Sequence, residues 1–195
     1  MTVDGDGRGL RVDAARNHVR IVAAAAAAIE ESGTAVPLEE IARRAGVGIA
    51  TLYRRFGTRD QLLQAVFEHI FETRIVPTVV DDGPDPWHDL VTTITGAVEA
   101  VRRHHVLLRL VKEAGAVETD ALAGYARAVE RLLTRARDAG VVRPELTTRD
   151  LAAVVVMALA VVRVTGRDSA EIRRYLAFLC DGMRPGPPPL PPGRA

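Results

Sequence analysis

Cysteine is almost absent: a single residue, Cys180, cannot form an internal disulfide, which is the usage expected of a chain kept in the reducing cytosol. No basic-then-apolar leader is recognisable at the N-terminus, in keeping with the same cytoplasmic expectation. The longest apolar run, Leu151 to Val162, is broken by Arg163 short of the roughly 20 residues a bilayer core requires, so no membrane partner is expected. Aromatics are scarce at 4 % against 48 % hydrophobic residues, leaving Ala, Val and Leu to build a core suited to helix-on-helix packing. No segment sustains a period of two, and no internal repeat is visible. A Gly-rich phosphate loop, a cluster of metal ligands and a nucleophile motif are also missing, so no enzyme activity, no cofactor and no metal site are expected. The formal net charge is only +1, which removes any whole-molecule attraction to nucleic acid and leaves local charge placement to decide.

What is present is helical punctuation. Gly and Pro fall between segments of helical period, giving an all-α chain of about nine helices in 195 residues. Residues 1–12, rich in Gly and Asp, read as a disordered arm, and residues 185–195, PGPPPLPPGRA, as a disordered tail. A first helix is expected from about Asp13 to Glu31, with alanines from Ala23 to Ala28 and Gly33 as its stop. The second sets Leu38, Ile41, Ala42 and Ala45 at i, i+3, i+4 and i+7 between Pro37 and Gly46. After the turn Gly46-Val47-Gly48 a third runs from Ile49 to about Phe56. Thr58 then caps a linking helix over 58–77 that carries Leu62, Leu63, Val66, Phe67 and Ile70. The turn-rich segment Asp81 to Pro86 marks off a helical body, residues 78–184. Its five helices are expected at Trp87 to His104, Val106 to Glu113, Thr119 to Ala139, Thr147 to Thr165 and Ser169 to Met183, with Thr147 and Asp150 reading as a capping box.

Two short helices joined by a tight Gly turn and backed by a third are the parts of a helix-turn-helix, here over 13–59, whose second short helix enters the major groove. On that helix Leu52 and Phe56 lie one turn apart and can pack inward, while Ile49, Ala50, Tyr53 and Arg54 share another face. Ile49 and Ala50 suit thymine methyls, Arg54 or Arg55 guanine edges or phosphates, and the Thr51 and Tyr53 hydroxyls phosphate oxygens. Arg43, Arg44, Arg54, Arg55 and Arg59 occupy a stretch without Asp or Glu. This reads either as a phosphate-facing patch or as a solvated helix face.

The run Leu38-Glu39-Glu40-Ile41-Ala42-Arg43-Arg44-Ala45-Gly46-Val47-Gly48-Ile49-Ala50-Thr51-Leu52-Tyr53-Arg54-Arg55-Phe56 resembles the DNA-binding signature of TetR-family transcriptional regulators. Small Ala42, Gly46, apolar Val47, the Thr51-Leu52-Tyr53 trio, aromatic Phe56 and basic Arg59 all fit the family's pattern. Upstream, Asp13 to Asn17 and Arg20-Ile21-Val22 resemble its first-helix entry. The resemblance thus implies a DNA-contacting set of Arg16, Asn17, Gly48, Ile49, Ala50, Thr51, Tyr53, Arg54, Arg55 and Arg59. Two positions depart from the pattern. Gly48 stands where Ser or Thr usually caps the recognition helix, a loss of a few tenths of a kcal/mol and one polar contact. Arg59 replaces the usual lysine.

In the body, residues 147–165 are apolar around much of the helix, and residues 169–183 add Ile172, Leu176, Leu179 and Met183, with Tyr175 and Phe178 adjoining. Such helices suit either a homodimer interface, as the resemblance implies, or a plain core. The resemblance further implies repression from a palindromic double-stranded operator, relieved by a small-molecule effector held in the body. Polar or aromatic residues on otherwise apolar helices are the effector-binding candidates: Trp87, His105, Arg109, Tyr125, Met157 and Arg163, with His104 and Glu113 beside them. The competing reading is a helical adaptor whose head binds protein rather than DNA.

Overall fold

The computed structural model describes residues 6–104, 120–165, 169–186 and 188–191. Among these residues the chain is all-helical, with eight α-helices and no strand. The expected helix Val106 to Glu113 lies outside the described residues. The described residues form two compact units, one taking the chain to Glu72 together with His104, the other Thr73–Arg103 and the chain from Asp120.

The first unit holds α1 (Asp6–Ser32), α2 (Leu38–Arg44), α3 (Ile49–Phe56) and α4 (Arg59–Ile70). Its α1 begins before the expected Asp13 and absorbs part of the stretch read as an arm. Gly7 and Gly9 lower the propensity there, but only starting a helix is costly, whereas extending one gains a hydrogen bond per residue. Ile21, Val22, Ala25, Ala28 and Ile29 form the buried stripe of α1, and the alanines let α4 approach closely. Opposite them α4 buries Leu62, Leu63, Val66, Phe67 and Ile70, each larger side chain contributing about 1.5–3 kcal/mol of transfer free energy. Thr58 caps α4 as expected: its Oγ1 accepts from Gln61 N at 3.2 Å while Gln61 Oε1 accepts from Thr58 N. The linking helix does not stay α-helical to Pro77. It ends at Ile70, widens into a π turn over Phe71–Ile75 and tightens into a 3-10 turn over Val76–Thr78. Pro77 has no amide to continue the ladder and its ring collides with the carbonyl one turn back, so the winding changes ahead of it.

The second unit packs α5 (Pro86–Arg103), α6 (Asp120–Asp138), α7 (Thr148–Thr165) and α8 (Ser169–Asp181) around one core. Leu90, Ile94 and Val98 of α5 meet Leu132, Leu133 and Ala136 of α6, Leu151, Val154 and Ala158 of α7, and Ile172, Leu176 and Cys180 of α8. Asp85 starts α5, its Oδ1 accepting from Trp87 N and His88 N at 3.0 and 3.2 Å. The expected capping box at the head of α7 is present, with Thr147 N donating to Asp150 Oδ2 at 2.8 Å and Asp150 N to Thr147 Oγ1 at 3.3 Å. Arg135 closes the turn before α5 by donating to the carbonyls of Asp81 and Gly83 and to the buried Asp89 carboxylate. That turn needs a glycine, because a Cβ on Gly83 would fall 2.2 Å from Asp89 Oδ1.

The tail after α8 is more ordered than its composition suggests. Arg143 donates to the carbonyls of Gly182, Gly186 and Pro188 at 3.1, 2.8 and 2.9 Å. Proline loses its amide donor but keeps an accepting carbonyl, so one guanidinium can hold a segment that cannot be helical. The disordered reading of 185–195 is corrected to that extent.

Candidate nucleic-acid interface

The turn between α2 and α3 is built by backbone chemistry. Gly46 adopts a φ of 63°, and the amides of Gly46 and Val47 donate back to the carbonyls of Arg43 and Ala42 at 3.1 and 3.0 Å. This αL glycine motif stops α2 and turns the chain sharply. Arg20 of α1 locks the turn from behind, its Nη2 donating to Ala45 O at 2.6 Å. Next, Gly48 supplies the N-cap of α3 in extended geometry with no side-chain cap bond, the consequence expected of its missing hydroxyl. The helix forms nonetheless, because the Gly48 carbonyl accepts from Thr51 N and Leu52 N at 2.9 and 3.2 Å.

Those constraints aim α3 as its pattern implies. Leu52 and Phe56 are buried, Ile49 and Thr51 half-buried, and Ala50, Tyr53, Arg54 and Arg55 exposed, Tyr53 at 49 %. An outward face carrying a phenol, two guanidiniums and a methyl has the donors and apolar contacts that major-groove edges and phosphates take.

The five-arginine stretch divides. Arg43 and Arg44 are paired with acids just outside it: Arg43 binds both oxygens of Glu40 at 2.8 and 2.7 Å, and Arg44 reaches Glu40 at 2.7 Å and Glu31 at 2.6 Å. Hydrogen bonds from Arg43 and then Arg44 hold the Glu40 carboxyl down to about 2. Arg59 turns to the α1–α2 loop, its Nη2 donating to the carbonyls of Thr34 and Val36. Arg54 and Arg55 remain on the outward face. Arg55 donates through Nε to His18 Nδ1 at 3.3 Å. On α1, Arg16 is exposed, whereas half-buried Asn17 accepts from Arg20 at 3.4 Å. Sequence reasoning gave no role to Arg20 or His18, whose partners lie 25 and 37 positions away.

Of the effector candidates, Trp87, Tyr125 and Met157 fall among the described residues, and each is differently placed. Trp87 packs against the core with Arg184 stacked 4.0 Å over its ring, an arrangement that stabilises the tail. Tyr125 is half-buried against the same core, and burial pushes its hydroxyl above the ordinary range while a hydrogen bond with Thr78 acts against that shift. Met157 faces outward at 46 % exposure. His105 and Arg109 lie outside the described residues, as does the Arg163 side chain. His104 contacts Glu30 Oε1 through Nδ1 at 2.5 Å. A cleft of about 280 Å³ lies instead between α5 and α8, with Val98, Ile172 and Leu176 on its walls and Glu99, Arg103 and Arg173 at its edge. Among the described residues no group of His, Cys, Asp or Glu is placed to hold a metal ion, and no helix is long and apolar enough to cross a membrane.

A glycine-stopped short helix, a second one with an outward polar and basic face, and a supporting helix behind them define a helix-turn-helix regulator of transcription. Residues 21–66 match the family described as bacterial regulatory proteins, tetR family, and residues 85–185 match the transcriptional regulator SbtR-like, C-terminal domain. The chain belongs to the TetR family, a family of DNA-binding transcription regulators rather than enzymes. It is similar to the TetR transcription regulatory protein of Mycobacterium vanbaalenii, at 29 % identity and a TM-score of 0.63 over 90 % of this chain and 99 % of that one. A TetR transcriptional regulator of Streptomyces coelicolor is 27 % identical, with a TM-score of 0.55 over 86 % and 98 % of the two chains. A TetR-family regulator from Rhodococcus sp., at 20 % identity, shares the fold with a TM-score of 0.65 over 88 % of this chain and 100 % of that one. No curated relative matches.

Proposed function

We propose that the chain is a transcriptional repressor that binds a palindromic operator as a homodimer and is released by a small molecule, acting in the cytoplasm on nucleoid DNA. The outward face of α3 carries the reading: Ala50, Tyr53, Arg54 and Arg55 are exposed together while Leu52 and Phe56 anchor the helix. Repression needs nothing more than occupancy, since a protein seated on a promoter excludes polymerase.

Dimerisation is supported by the outer faces of α7 and α8, which pack side by side. Ala152, Ala153, Val156, Met157 and Ala160 form an exposed stripe on α7, with Val156 at 64 %, and Tyr175 and Phe178 stand out from α8, Phe178 at 78 %. Exposed apolar stripes on adjacent helices suit a four-helix isologous interface, which presents two reading heads to two half-sites. For the effector, the cleft between α5 and α8 is close to the lower end of ligand-pocket sizes, roughly 300 Å³, with an apolar floor and a charged edge.

Selection of bound duplexes from a random DNA pool tests the proposal. Enrichment of an inverted repeat, lost on Tyr53→Ala, is the expected result. No enrichment would favour the protein-binding adaptor, and enrichment of a lone half-site would remove the dimer.

A further inference from the structure

We infer that His18 is a positioning residue for DNA reading, holding the Arg55 guanidinium in the orientation in which it meets the operator; the inference rests on the DNA-binding reading above. His18 belongs to α1, outside the two short helices, yet it touches α3 twice. Its ring stacks on Phe56 with centroids 5.1 Å apart and planes 25° from parallel. Its Nδ1 accepts from Arg55 Nε at 3.3 Å. Because Phe56 is buried, the surface on which the imidazole rests is fixed.

The direction of that hydrogen bond sets the state of the ring. Arginine stays protonated at every biological pH, so its Nε can only donate, and Nδ1 has to be the bare nitrogen of a neutral imidazole. The surroundings favour that state. Burial first, and the charge of Arg55 second, hold the His18 pKa below its ordinary value, while Glu68 on α4 pulls it upward.

The consequence falls on Arg55. An exposed arginine samples many rotamers, and ordering it against DNA costs entropy. A tether at Nε removes part of that freedom beforehand, which is the advantage of a preorganised contact. The tether uses neither Nη1 nor Nη2. The edge those two nitrogens form makes two parallel hydrogen bonds to guanine O6 and N7 or to two phosphate oxygens. His18 thus contributes to operator affinity without touching DNA.

Fluorescence anisotropy on the selected operator, with melting temperatures alongside, tests this in the wild type, His18→Phe, His18→Asn, Arg55→Ala and His18→Phe combined with Arg55→Ala. Phe keeps the ring on Phe56 and removes the acceptor, whereas Asn returns an amide oxygen near the Nδ1 position. His18→Phe is expected to melt close to the wild type and to bind about threefold to tenfold more weakly, the effect of one exchanged hydrogen bond. His18→Asn should recover most of the loss, and His18→Phe should add nothing once Arg55 is alanine. Unchanged affinity in His18→Phe, or a defect that persists in full beside Arg55→Ala, overturns the inference. A second readout needs no DNA: the Arg55 Nε–H signal in NMR should be protected from exchange in the wild type and lose protection in His18→Phe. A protected signal in a protein that selects no DNA would remove the DNA reading, whereas an unprotected signal in a protein that binds its operator would remove the tether.

Discussion

Replacing Gly46 with alanine tests the turn on which the reading helix depends. Gly46 has a φ of 63°, where an L side chain brings its Cβ against the following carbonyl, at a cost of about 1–2 kcal/mol. An added Cβ would also lie 3.0 Å from Arg20 Nη2, the atom that donates to Ala45 O at 2.6 Å. Pushing that guanidinium aside costs about 1 kcal/mol more, the net value of one hydrogen bond. The sum is about 2–3 kcal/mol. Gly48 is the control, because its φ of −70° suits any residue and nothing lies within 4 Å of an added Cβ. Gly48→Ala should cost less than about 1 kcal/mol, through the poorer cap alone. Urea denaturation followed by far-UV circular dichroism gives both numbers, and operator affinity should fall with Gly46→Ala because the angle of α3 changes. If Gly46→Ala were as stable as Gly48→Ala, the reasoning about the positive φ and the Arg20 clamp would be refuted.

Arg59→Ala should destabilise the fold by about 1–3 kcal/mol, since two loop carbonyls lose their donor, yet leave the salt dependence of operator binding unchanged. A log–log salt slope reduced by about one would mark Arg59 as a phosphate contact instead. Phe178→Glu replaces a side chain that an isologous dimer buries twice, so dimerisation should weaken by about 3 kcal/mol or more, read by sedimentation equilibrium; a dimer of unchanged strength would place the interface elsewhere. The His18 pKa is lowered from 6.5, so the unfolded chain takes up its proton first as pH falls. Its contribution to stability is therefore complete above about pH 6.5 and declines as pH drops through that value toward the lower folded one. Urea midpoints at pH 7.5 and 5.5 should differ more for the wild type than for His18→Phe, and equal differences would contradict the assignment.

Local signals carried much of the fold. Gly46 stops α2 and Thr58 starts α4 because a positive φ and a capping box depend on residues close together in the chain, and the same holds for Thr147 with Asp150 at the head of α7. The alternating buried and exposed faces of α3 follow from helical spacing alone. What escaped depends on distance in the chain or on neighbours left out of the count. The stretch Arg43 to Arg59 holds no acid, yet Glu40 pairs with Arg43 and Arg44 from the preceding turn of the same helix. Arg59 resembles a phosphate contact by position, but the carbonyls that take its guanidinium belong to the loop before α2. His18 and Arg20 acquire their roles only when α1 is laid against α2 and α3, and no periodicity announces that. The π turn at Phe71–Ile75 arises from Pro77 acting backwards along a helix whose apolar pattern runs on unbroken to Ile70. The effector candidates shared only the property of being unlike their neighbours, which is weak ground for a pocket; Met157 proved to lie on the outer stripe and Trp87 under Arg184.

The central claim is that α3 reads DNA through an outward face on which Arg54 and Arg55 supply the charge. Its most direct test is the operator dissociation constant measured by anisotropy between 50 and 200 mM salt, an interval over which several phosphate contacts weaken binding by about a hundredfold or more. A steep linear log–log decline for the wild type, a shallower slope when Arg54 and Arg55 are both alanine, and loss of selectivity over a scrambled duplex with Tyr53→Ala are the results predicted. A flat salt dependence, or an affinity indifferent to all three side chains, would contradict it.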